Sequence, residues 1–80
     1  TLARIYSINE DRNGYLWIGT VDAGVWRYDG DNLKNYTTLN GLPSDAVITI
    51  YRDKDGELWF GTEAGVCTFN GISFTRFSIP

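Results

Sequence analysis

Apolar and polar residues follow one another in short bursts along this chain, each rich in β-branched and aromatic side chains and each cut short by a cluster of Gly, Asp or Asn. Bursts of this kind, recurring at about 8 to 12 residues, predict a meander of short β-strands. Eight strands are expected, near residues 3–9, 15–20, 24–28 and 33–37, then near 46–52, 57–62, 66–69 and 73–78. Runs such as AVITIY (Ala46 to Tyr51) and LWIG (Leu16 to Gly19) lack clean polar alternation. That is the pattern of strands whose sheet is covered on both faces. No segment carries a helical period with caps, so the fold class is all-β.

The eight strands form two copies of one unit. Asp11, Gly14 and Leu16-Trp17-Ile18-Gly19-Thr20 recur 42 positions later as Asp53, Gly56 and Leu58-Trp59-Phe60-Gly61-Thr62. One residue then drops out, and Gly24, Tyr28, Gly30 and Tyr36 recur as Gly65, Phe69, Gly71 and Phe77, 41 positions on. A length change there marks a loop. A tandem four-stranded unit of about 40 residues, apolar on both faces, is the signature of a β-propeller blade. Residues 1–39 then form the first blade, and residues 40–80 a linker and the second.

The stretch GLPSDAVITIYRDKDGELWFGTEAGVCTFNGISFTRFS, echoed by EDRNGYLWIGTVDAGVWRYDG, resembles the two-component regulator propeller repeat, with its Leu-Pro-Ser linker, Asp-x-Asp-Gly turn and Leu-Trp-x-Gly-Thr strand. The likeness covers essentially the whole chain and departs at Cys67, where the first unit has Trp26, and at the TFNG turn. It implies an extracytoplasmic sensor part of bacterial hybrid two-component regulators, many of which respond to oligosaccharides. Kinase, receiver and membrane segments are absent from these 80 residues.

Composition narrows the function classes. Twelve of the 80 residues are aromatic and the net charge is -3, with the seven basic residues scattered singly. A nucleic-acid surface clusters them. No apolar run approaches the roughly 20 residues of a membrane span. Cys67 is the only cysteine, so no intrachain disulfide is expected, and the chain has no His to serve as general base or to activate that thiol. Two carboxylates suffice for a glycosidase, yet no pattern singles out a pair among ten acids. No catalytic residue, metal or cofactor is expected.

DRNG (Asp11 to Gly14) and DKDG (Asp53 to Gly56) share the opening of a calcium loop but lack its further ligands. They read as Asp-Gly turns, with Gly at positive φ. Gly19 and Gly61 beside Trp17 and Trp59 read as close blade packing around an aromatic core, and Trp26 and Cys67 as core positions that cannot pack alike. Cys67 is expected to be a buried small hydrophobe. Should a ligand bind, the loops after the second strand of each unit and the linker offer the mixed chemistry for it: Thr20 and Asp22, Thr62 and Glu63, and Asn40, Ser44 and Asp45. Repeated around an axis, Asp22 and Glu63 form an acidic ring suited to cations or polyhydroxyl ligands.

Two blades cannot close a propeller, which needs at least four, and their outer faces would leave rows of apolar side chains in water. The chain starts at the equivalent of Pro43 and stops at that of Leu39, so both blades are complete, and the missing initiator Met suggests excision from something longer. Closure by homo-oligomerisation into a cyclic ring is expected, with four chains and eight blades preferred and three chains and six blades the alternative. The function expected is a non-catalytic structural module whose partner is itself. Ligand binding within a sensor, carbohydrate by resemblance, is the alternative.

Overall fold

A computed structural model of the chain describes residues 5–77. The strands are β1 (Ile5–Glu10), β2 (Leu16–Thr20), β3 (Val25–Tyr28), β4 (Leu33–Tyr36), β5 (Val47–Arg52), β6 (Leu58–Thr62), β7 (Gly65–Phe69) and β8 (Phe74–Phe77). They pair antiparallel into two four-stranded meanders, β1-β2-β3-β4 and β5-β6-β7-β8. All eight expected strands form. Positions 3, 4 and 78, at the ends of two of them, lie outside the described residues.

Register repeats as faithfully as sequence. Ile8 faces Ile18 across β1 and β2, and Ile50 faces Phe60 across β5 and β6; each first strand also shifts register near its start, between Ile5 and Ser7 and between Val47 and Thr49. The two sheets stack face to face, with β1 alongside β5. The first blade contributes Trp17, Val25 and Tyr36 to the core between them, and the second contributes Val47, Ile50, Leu58, Phe60 and Cys67. Trp17 is the hub: its ring centroid lies 5.5 Å from Tyr36, 5.2 Å from Phe60 and 5.1 Å from Phe69. Such aromatic contacts add about 0.5–1.5 kcal/mol each beyond the area they bury.

The linker holds one turn of 3-10 helix, Thr38–Asn40, that apolar periodicity could not announce. It is a product of local capping: the Thr37 hydroxyl accepts from Leu39 N–H, and Asn40 Oδ1 accepts from Thr37 N–H. Leu42, just beyond, drops into the inter-blade core.

Candidate functional site

At one end of the blades, the turns after β1 and β5 are built alike. Asp11 Oδ1 accepts from the amides of Asn13 and Tyr15, and its Oδ2 accepts from Trp17 Nε1 at 2.8 Å. Asp53 does the same with Asp55, Glu57 and Trp59 Nε1, the last at 2.9 Å. Gly14 and Gly56 make the turns possible at φ of 87° and 85°. Each aspartate therefore anchors the tryptophan six residues on, a link that the turn reading of Asp-x-x-Gly did not supply. The Trp59 indole N–H, then the amides of Glu57 and Asp55 and the charge of Arg12, hold the Asp53 carboxyl below its ordinary range.

The opposite end gathers the residues expected to face a ligand. Gly24 N–H donates to Asp45 O, and Thr38 N–H donates to Asp45 Oδ1, so the first blade's loop and the linker meet. Thr20 Oγ1 donates to Gly24 O and accepts from Ala23 N–H; Thr62 repeats this with Gly65 and Ala64. Ser44 Oγ accepts from Ala46 N–H, and Asn40 closes the helical turn. Their polar groups hold the loops. Asp22 and Glu63 are exposed, one in each loop.

Between the blades at the turn end lies a cleft of about 470 Å³, lined among others by Arg12, Tyr15, Arg27, Glu57 and Asn70. The Arg27 guanidinium sits 5.1, 5.7 and 5.8 Å from the ring centroids of Tyr15, Trp17 and Tyr36. Cation–π attraction of this kind contributes about 0.5–2 kcal/mol. The sequence singles out the two Asp-Gly turns and Trp17 that border this cleft but not Arg27 or Tyr15, because only the register of β2 and β3 brings those two together.

A further candidate surface is apolar. On the side of the first blade turned away from the second stand Ile8, Leu16, Ile18, Trp26, Tyr28 and Leu33; on the far side of the second stand Tyr51, Trp59, Val66 and Phe77. Their repeat equivalents are covered. Ile8 is 57% exposed against 6% for Ile50, Leu16 40% against 4% for Leu58, and Phe77 52% against 5% for Tyr36. Trp17 is buried in the core, whereas Trp59 is half-buried on the open side, its ring 5.3 Å from Phe77. A Cβ on Gly19 would stand 2.6 Å from Ser7 Oγ of its own blade and 3.0 Å from Val47 Cγ1 of the facing blade, so the glycine makes room for both; among the described residues, a Cβ on Gly61 would meet only Thr49 of its own blade. Trp26 Nε1 is shielded from solvent and has no hydrogen-bond partner among the described residues. Cys67, its equivalent, is fully buried, and burial pushes its thiol up to about 11, against a smaller opposing pull from Arg76.

A model of the two component regulator propeller matches residues 2–22 and 41–64, one match in each repeat and together more than half of the chain. Among curated proteins, the chain is similar to a protein named histidine kinase P4 from Formosa agariphila, 44% identical over 41 residues. The match takes in 51% of this chain and 3% of that far longer relative.

Proposed function

The chain belongs to the two component regulator propeller family, and from that premise we propose that it is a structural, non-catalytic module that completes a β-propeller by associating with copies of itself. One observation carries the reading. The two open faces are the two halves of the junction already closed inside the chain: the Trp59 face of the second blade repeats the Trp17 face of the first, and the Ile18 face of the first repeats the Phe60 face of the second. A copy docked as the second blade docks on the first covers both, and the operation repeats until a ring closes.

The differences between the halves compensate. Where the internal junction has small Cys67, the open face has Trp26; the face it would meet carries Thr68 and Thr75 in place of the longer Arg27 and Lys34. One open face thus carries more bulk than its internal counterpart and the other less, and threonine hydroxyls can accept hydrogen bonds. A ring of four chains and eight blades is the preferred assembly, three chains and six blades the alternative. Small-angle X-ray scattering tests it: the expected profile is that of an annular disc much wider than the 39 Å longest extent of one chain, and a profile fitted by the single chain at all concentrations would overturn it.

A second reading, a ligand-binding piece of a sensor, is supported by the family, by the printed name of the relative and by the cleft at Arg27. The two readings are compatible, since a closed ring repeats such a cleft.

A further inference from the structure

The internal junction is held at the turn end by two arginines that cross it in opposite directions. Arg12 of the first blade donates to the backbone carbonyl of Asp55 at 2.6 Å, and Arg52 of the second donates to the carbonyl of Asp11 at 3.2 Å. Their repeat equivalents on the open faces are Lys54 and Glu10. Glu10 has no proton to give to a carbonyl. A copy-to-copy junction therefore cannot reproduce the internal one, and a like-charged pair is replaced there by an opposite one.

Two measurements place these groups at one point. The Arg12 side chain lies over the turn of the facing blade, with Nε 3.0 Å and Cζ 3.3 Å from where a Cβ on Gly56 would stand. Gly14 is the equivalent of Gly56, and Glu10 Oε2 lies 3.7 Å from where its Cβ would stand. An extended lysine carries Nζ where an arginine carries Cζ. Docked in the internal register, Lys54 of one copy thus brings its ammonium over Gly14 of the next, beside the Glu10 carboxylate. Both residues are exposed in the single chain.

We infer that Lys54 of one chain and Glu10 of the next form an ion pair that sets the head-to-tail order of the junction. The inference rests on the self-association proposed above. Like-facing docking would set Lys54 against Lys54 or Glu10 against Glu10 and is disfavoured by repulsion. The pair also makes association weaken with added salt, since exposed charges are screened within about 10 Å at 0.1 M ionic strength.

Charge reversal tests the pair. Glu10→Lys places two ammonium groups at every junction and Lys54→Glu two carboxylates, so each variant alone should associate roughly 3- to 30-fold more weakly per junction. Circular dichroism should show both folded as wild type. Mixed in equal amounts, with one partner isotopically labelled, the two variants restore an opposite pair at every junction of an alternating four-chain ring and at two of the three junctions of a mixed three-chain ring. Native mass spectra should then show mixed complexes in excess of the statistical distribution, with equal numbers of each chain in a four-chain ring. Wild-type association with variants that associate as strongly, or a mixture distributed statistically, would overturn the ion pair and leave self-association standing. A wild-type chain that never associates would overturn both.

Discussion

Tyr36 and Phe77 occupy the same register in their blades, as do Ile50 and Ile8, yet one of each pair is enclosed and the other stands half in solvent. Their strand pairings, turns and anchoring aspartates are alike, some neighbouring side chains differ, and a neighbouring sheet covers one of each pair and not the other. The lesson is that a blade's residues specify a face to be covered, while burial itself belongs to the stack. The internal junction shows what covering achieves: five aromatic rings, Trp17, Tyr36, Phe60, Phe69 and Phe74, interlock across it. On the open side of the second blade, among the described residues, only the Trp59 and Phe77 fragment of that arrangement is assembled.

The largest test of this contrast is truncation of the paired tryptophans. Trp17→Ala removes the hub of the closed junction and should destabilise the folded chain by about 3–5 kcal/mol, measured by urea unfolding at dilution. Trp59→Ala removes a half-buried ring and should cost the dilute single chain less than half as much, while abolishing association at concentrations where wild type assembles. Equal losses for the two variants under dilute conditions would mean that the faces are not distinguished by a neighbour.

A smaller effect sharpens the comparison at the turns. Asp53 is held below its ordinary carboxylate range by the Trp59 indole and the turn amides. A group whose folded pKa is depressed stabilises the fold above its unfolded value, and that stabilisation is lost as pH falls through the folded one. Thermal melts should therefore show wild type losing stability below its unfolded value of about 3.8, with Asp53→Asn less stable than wild type at neutral pH and the gap narrowing as acid is added. A gap independent of pH would assign the loss to the amide's geometry instead of the carboxylate's charge.

Much of this architecture is legible in the sequence, for physical reasons that name particular residues. The short β-branched and aromatic bursts, the Asp-Gly turns and the 42-residue recurrence of Leu-Trp-x-Gly-Thr locate all eight strands, because strand formation here is set by short-range pattern. Gly19 likewise announces a close approach, made by Ser7 of its own blade and by Val47 of the facing one. Three features were not legible. The Asp11 to Trp17 and Asp53 to Trp59 bonds depend on a hairpin folding one strand back beside its own turn, so spacing alone gave only the turn. The helical turn at Thr38–Asn40 is too short to show a period. The Arg27 cleft is assembled from strand ends far apart in sequence, at the end of the blades opposite to Asp22 and Glu63.

The chain count of the assembled species tests the central claim most directly. Native mass spectrometry at low micromolar concentration should give one closed species at four times the 9.0 kDa chain mass, or at three times for the smaller ring, with no ladder of open intermediates. A folded 9.0 kDa monomer persisting across the concentration range would contradict the claim that the open faces are halves of one junction.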